Sequence, residues 1–218
     1  KMLGIGAIQS DKSYILQAKA FPANMEIRTV KTYMYTPVTP PGTPPNPYTV
    51  STPLTFELNT SMVLLPKVPM QPRYFDDRVG YFTTQTITDF DVNPQGIDQY
   101  RYIARYRLEP KDEDIEKYKR GELVEPKKQI VYYIDPTTPK KWVPYLIRGV
   151  NDWQAAFEKA GFKNAIVAKM APTPQEDSTW SLEDARYSAI VYKPSTIPNA
   201  SGPNVHDPRS GEILESHI

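Results

Sequence analysis

Apolar residues follow two different periods along the chain. Up to about residue 125 they alternate with polar ones. Tyr14, Leu16 and Ala18 share one face of a strand expected over 13–20, and a second strand is expected over 25–36. Leu54, Phe56 and Leu58 alternate with Thr55, Glu57 and Asn59, the pattern of a strand buried on one side. Another strand is expected over 81–88. Tyr102, Ala104, Tyr106 and Leu108 then alternate with Arg101, Ile103, Arg105 and Arg107. That arginine side reads as the solvated face of a half-buried strand, pairing with acidic residues of a neighbour, rather than as an anion-binding surface.

From residue 129 the period lengthens. The strand-length apolar run 129–135 leads into Trp142, Leu146, Val150, Trp153 and Phe157, which recur every three or four positions. They share one face of a helix expected over 139–160. Thr138 suits its N-cap, Pro139 its first position and Gly161 its C′ position, while Pro144 marks a later start or a kink. Strands are expected over 165–170 and 187–192, and a last extended stretch over 212–218. Strand, helix, strand is the βαβ pattern, with a right-handed crossover expected.

Breakers set the boundaries. Six prolines fall between Pro37 and Pro47. The stretch 37–53 cannot supply ladder N–H groups and reads as a long hairpin loop rather than a ligand for a partner domain. A short polar helix is expected over 110–120, and the module boundary near Glu125. The fold class is α+β: a β-rich N-terminal module over 1–125, then a mixed sheet with a βαβ unit over 126–218.

Composition narrows the function. The 26 basic and 25 acidic residues give a net charge of +1, which argues against a dedicated nucleic-acid surface. There is no cysteine, so disulfides and thiolate metal sites are excluded. The two histidines, His206 and His217, lack helical ligand spacing; they read as an exposed turn residue and an ordinary strand residue. No apolar run reaches the roughly 18–20 residues of a membrane helix. A phosphate loop, a G-x-S-x-G elbow and an H-E-x-x-H pair are all absent.

Several runs nevertheless carry a family signature. They are Pro72-Arg-Tyr-Phe-Asp-Asp-Arg-Val-Gly-Tyr-Phe82, Arg105-Tyr-Arg-Leu-Glu-Pro110, Gly149-Val-Asn-Asp-Trp-Gln-Ala-Ala-Phe157 and Asp207-Pro-Arg-Ser-Gly-Glu-Ile-Leu214. With Val124-Glu-Pro126 and Ala160-Gly-Phe162, they resemble the large bacterial zinc-dependent metallopeptidases with a metzincin-like catalytic domain. In those proteins a β-rich domain of unknown function precedes the catalytic domain. The resemblance implies that 126–218 is the front part of a metzincin-like upper subdomain, with 212–218 as the strand lining the cleft. The zinc-binding helix has no counterpart in these 218 residues, so no catalytic or metal-ligating residue carries over. This chain needs no cofactor of its own; zinc belongs to the intact parent enzyme.

The resemblance further implies that Gly211, Glu212, Ile213, Leu214, Glu215 and Ser216 bind the substrate backbone as an exposed strand edge. Arg209 would fix the preceding turn through Asp207. Arg73, Asp76, Asp77 and Arg78 form a second charged cluster. It reads as a buried or interface ion-pair network between the modules, or as a segment regulating access to the cleft. The partners implied are a peptide or protein substrate and the remainder of the catalytic domain. Dimerisation through an exposed edge is also expected, and the location is periplasmic, outer-surface or secreted. The alternatives are a stand-alone peptide- or glycan-binding module and a propeptide-like inhibitor acting in trans.

Overall fold

A computed structural model describes residues 4–44, 46–197 and 199–218. Residues 1–3 at the N-terminus, Pro45 of the proline-rich stretch and Pro198 of the loop before residue 204 lie outside the described residues. The chain divides into two compact units, Lys1–Leu64 and Leu65–Ile218.

The first unit is one antiparallel sheet of four strands, β1 (Ile5–Ile8), β2 (Tyr14–Ala20), β3 (Asn24–Tyr35) and β4 (Thr52–Val63). β3 is the spine. β4 pairs with it from Asn24↔Val63 to Tyr35↔Thr52 without a break. On its other side β2 covers the first half and β1 the end. The proline-rich stretch therefore lies in the β3–β4 hairpin connection, as its missing N–H groups predict.

Pairing sorts the side chains onto two faces. Met25, Ile27 and Tyr33 share one with Ile8, Ile15, Ala18, Leu54, Phe56, Leu58 and Met62. Asn24, Glu26, Arg28 and Thr32 share the other with Asn59 and Ser61. The expected grouping of Tyr14, Leu16 and Ala18 does not form. A bulge between Ile15 and Gln17 shifts the register by one residue, which sends Tyr14 to the polar face and Ala18 to the apolar one. The residues buried in this unit are the polar Asn24, Glu26 and Thr32. The Glu26 carboxylate accepts hydrogen bonds from Asn24, Asn59 and Ser61, each at 2.6 Å, so its burial leaves no acceptor stranded.

The second unit centres on β7 (Ile130–Ile134), flanked in parallel by β8 (Ile166–Met170) and β9 (Ser188–Ile190). Ahead of it stand the short hairpin β5 (Ile87–Asp89) and β6 (Asp98–Tyr100) and the helix α1 (Ile115–Lys119). Two helices, α2 (Val143–Asn151) and α3 (Gln154–Lys159), link β7 to β8. The antiparallel pair β10 (Asn204–His206) and β11 (Ile213–Ser216) closes the chain. Strands outweigh helices, and the coarse class is α+β, as expected. Among the described residues no helix is long and apolar enough to cross a membrane.

The core confirms the central strand and corrects its helix. Ile130, Tyr132, Ile134, Ile166 and Ala168 are buried together, with Leu146, Ile147, Val150 and Phe157 packed against them. Residues 136–142 form turns, in which Asp135 accepts the Thr137 N–H and Thr138 donates its own N–H to the Asp135 carbonyl. Thr138 is therefore buried in the turn and does not cap a helix. Pro144 sits in the first turn of α2, where a missing N–H is harmless. The single helix expected over 139–160 breaks at Asp152–Trp153. There Asn151 accepts the Ala168 N–H, and Gln154 bonds the Ala165 N–H and the Ile166 carbonyl. These two side chains satisfy strand backbone at the break. The buried face shifts accordingly, leaving Trp142 and Trp153 exposed. Gly161 ends α3 at φ +94°, and a Cβ there would meet the Tyr118 ring at 2.7 Å.

The expected boundary near Glu125 falls inside the second unit. Residues on both sides of it are joined: Pro110 bridges Pro126, Lys111 pairs with Glu125 at 3.2 Å, and the Tyr106 and Tyr132 hydroxyls meet at 2.5 Å. The strand expected over 81–88 is reduced to the Thr83↔Ile103 bridge and the start of β5.

Candidate functional site

Three Asp-x-Arg sequences build the same turn. In Asp76-Asp77-Arg78, Asp184-Ala185-Arg186 and Asp207-Pro208-Arg209, the aspartate accepts the arginine's own backbone N–H at 3.0, 3.0 and 2.9 Å. The guanidinium then folds back onto the same carboxylate. Asp184 and Asp207 are fully buried within their clasps. The Arg209 guanidinium holds the Asp207 carboxyl below the usual carboxylate range, against the opposing effect of burial. The spacing is legible in the sequence, and its recurrence is the signal that reasoning from single motifs misses.

The cluster Arg73, Asp76, Asp77 and Arg78 is not buried. Asp76 clasps Arg78 in the open, and Asp77 reaches only Arg101, at 4.0 Å and with 94% of its side chain exposed. Arg73 contributes its carbonyl to the Ile103 N–H.

The arginine row pairs with acidic side chains as expected, Arg101 with Asp77 and Arg107 with Glu109 and Glu212, but it also binds backbone. Arg105 donates to the Gln71 carbonyl at 2.8 Å, Arg107 to Val68 at 3.0 Å and Arg209 to Pro66 at 2.7 Å. Prolines at 66, 69 and 72 deprive the segment 65–72 of ladder donors, so its carbonyls are satisfied by guanidinium groups. The segment is strapped down with Met70 buried beneath it.

Residues 211–216 lie beside this strap. Gly211 adopts φ +74°, and a Cβ would stand 2.1 Å from the Ile103 carbonyl oxygen, so only glycine fits. Its carbonyl accepts the Arg105 N–H, and the Ile213 N–H returns to the Arg105 carbonyl. Farther along, the Ser216 N–H donates to Ser188 Oγ, and Ile218 exchanges hydrogen bonds with Ala189 and Val191. On the opposite side β10 pairs with Asn204↔Ser216, Val205↔Glu215 and His206↔Ile213. Both flanks of 211–216 are thus engaged, and the segment is not the exposed edge that sequence reasoning expected.

The outer edge belongs to β10. Ser216 and Ile213 spend their N–H groups on Ser188 and Arg105, away from β10. Their partners Asn204 and His206 therefore occupy non-hydrogen-bonded positions, with their backbone polar groups on the outer side. The Asp207 N–H turns back inward to the Glu212 carbonyl.

The Glu212 side chain points to a cavity of about 200 Å³ bordered by Tyr106, Arg107, Lys128, Tyr133, Tyr187 and Leu214. Its Oε2 is buried without a hydrogen-bond partner, 3.7 Å from Arg107, which is committed to Glu109 at 2.9 Å. Burial pushes the Glu212 carboxyl up, with Arg107 and Lys128 pulling the other way. His206 sits in β10 with Nδ1 3.0 Å from Asn204 Oδ1, and His217 Nε2 is buried without a partner. No group of three or more His, Cys, Asp or Glu close enough to hold a metal occurs among the described residues.

A family model described as a domain of unknown function, DUF5117, matches residues 1–111, just over half of the 218 residues. The chain belongs to the DUF5117 family. No curated protein and no solved structure matches it. The DUF5117 match covers the first unit and continues through the strap and through Arg105 and Arg107. Residues of the DUF5117 segment therefore hold Gly211 and Ile213 in place.

Proposed function

We propose that this chain forms the front part of a secreted or periplasmic zinc-dependent metallopeptidase and offers an extended peptide the open edge of β10. The observation that carries the reading is the strand sequence β8–β7–β9–β11–β10. β11 continues beside β9 through the parallel Ala189↔His217 bridge, and the last strand is antiparallel at the rim. The resemblance of 149–157 and 207–214 to metzincin-like peptidases supports it further. In this reading Gly211, Glu212, Ile213, Leu214, Glu215 and Ser216 position the edge, while Asn204 and His206 present it. The chemistry of cleavage, including the zinc ligands and the base, belongs to the rest of the parent enzyme.

The test is made on the native full-length protein with a fluorogenic peptide library, with and without a zinc chelator. His206→Pro removes an outward N–H that His206→Ala keeps. An edge strand tolerates proline at such a position. Loss of one substrate hydrogen bond, about 0.5–1.5 kcal/mol, corresponds to a roughly 2- to 10-fold rise in KM for His206→Pro relative to His206→Ala. A native protein with no chelator-sensitive peptidase activity overturns the assignment, and equal KM values for the two variants overturn the β10 edge.

A further inference from the structure

The first unit leaves a whole sheet face uncovered. Ile8, Ile15, Met25, Leu58 and Met62 are in register on that face and are 40–69% exposed. Tyr33 and Phe56 make an edge-to-face contact there, with ring centroids 6.3 Å apart. The opposite face carries Glu26, Arg28, Glu57 and Asn59. An amphipathic sheet of this kind is built to bury one side, because exposed apolar patches larger than a few hundred Å² mark interaction surfaces.

We propose that this face is a self-association surface on which a second copy of the chain packs, closing a two-sheet sandwich. Three observations favour a second copy as the occupant. The first is size. β3 has 12 residues, and at roughly 3.3 Å per residue across three strand spacings of about 4.8 Å the face covers about 570 Å². Two such faces bury about 1,140 Å², which clears the roughly 1,000 Å² minimum of a specific interface at the weak end of the range. The second is chemistry. Lys31 is the one charge that pairing brings onto the face, so the surface suits an equally apolar partner rather than an acidic or basic one. The third is shape. The face is one layer of paired strands, and two such layers stacked face to face align within about 30° at a spacing of about 10 Å. Lys31 lies where β2 has ended at Val30 and β1 resumes at Tyr33, a gap through which its ammonium group reaches solvent.

The experiment uses the whole chain in sedimentation equilibrium from 1 to ~300 μM, the range in which an interface of this size associates. Wild type is expected at twice the 24.9 kDa chain mass at the upper end, with tighter association in added salt as Lys31–Lys31 repulsion is screened. Ile15→Lys with Leu58→Lys is expected to weaken association at least 10-fold, while Glu57→Lys on the polar face leaves it unchanged. Because the chain has no cysteine, a second measurement is independent of those variants. Thr29→Cys, at the middle of the apolar face, should link two copies through a short bismaleimide, and Glu57→Cys should not. A wild type that stays monomeric throughout, as it would if another part of the protein covers the face, overturns the proposal. So does a dimer that crosslinks through position 57 and not through position 29.

Discussion

Replacing Asp207 by alanine tests whether the Asp-x-Arg clasp holds the second unit together. The carboxylate is fully buried and accepts the Arg209 N–H at 2.9 Å, Nε at 2.9 Å and Nη2 at 2.7 Å. The backbone N–H loses an ionised acceptor in a buried turn, a loss of about 1.5–2 kcal/mol. The guanidinium is 43% exposed, so water takes over much of its bonding and its two contacts are discounted to about 0.5 kcal/mol each. Freeing Arg209 also loosens its hold on the Pro66 carbonyl, a further ~0.5 kcal/mol. The sum is about 3 kcal/mol, which for a unit of this size lowers Tm by roughly 6–12 °C. Asp207→Asn keeps a neutral acceptor for the backbone N–H and should lose about half as much. The pH dependence follows from the depressed carboxyl. Its folded pKa lies below the unfolded value of about 3.9, so the stabilisation is complete above that value and is lost as pH falls through the folded one. Urea denaturation of wild type and Asp207→Ala should therefore differ fully at pH 7 and converge on acidification. A difference under about 1 kcal/mol at pH 7, or one that persists unchanged in acid, refutes the reasoning.

Two further outcomes follow from the neighbouring residues. Glu212 has the opposite sign: its folded pKa is raised by burial, so ionisation weakens the fold as pH rises past the unfolded value of about 4.3. Glu212→Gln should raise stability by about 0.5–1 kcal/mol at pH 8 and by nothing at pH 4, read from urea midpoints, and a loss at pH 8 contradicts it. Arg209→Met should release one end of the strap and speed tryptic cleavage after the exposed Lys67 several-fold; an unchanged rate means that Arg105 and Arg107 suffice to hold it.

The elements legible in the sequence were those in which one periodic signal dominates. The run at 130–134 reads as a strand because every side chain in it is apolar, and the β3–β4 hairpin reads from prolines that cannot join a ladder. The single helix over 139–160 failed because the chain turns at 152–153, where the Asn151 and Gln154 side chains bond the backbone of 165–168. Helical periodicity carries no trace of those contacts. The arginine row was read only in part for a related reason. Alternation places Arg105 and Arg107 opposite the tyrosines, but only the fold brings the carbonyl oxygens of 66–71 within their reach. The edge was placed one strand too far along, on 211–216, because the three-residue β10 carries no alternating pattern and the Arg105 contact, more than a hundred positions away, leaves no local mark.

That separation has a consequence for synthesis. Arg105 leaves the ribosome 108 positions before Ile213, whose N–H its carbonyl receives. At about 5–20 residues per second the wait is roughly 5–20 s, during which Tyr102 and Ile103 already have Tyr74 and Thr83 beside them but the Arg105 backbone lacks Gly211 and Ile213. A ribosome pause between the two positions would raise the yield lost to aggregation more than one placed anywhere in the first unit.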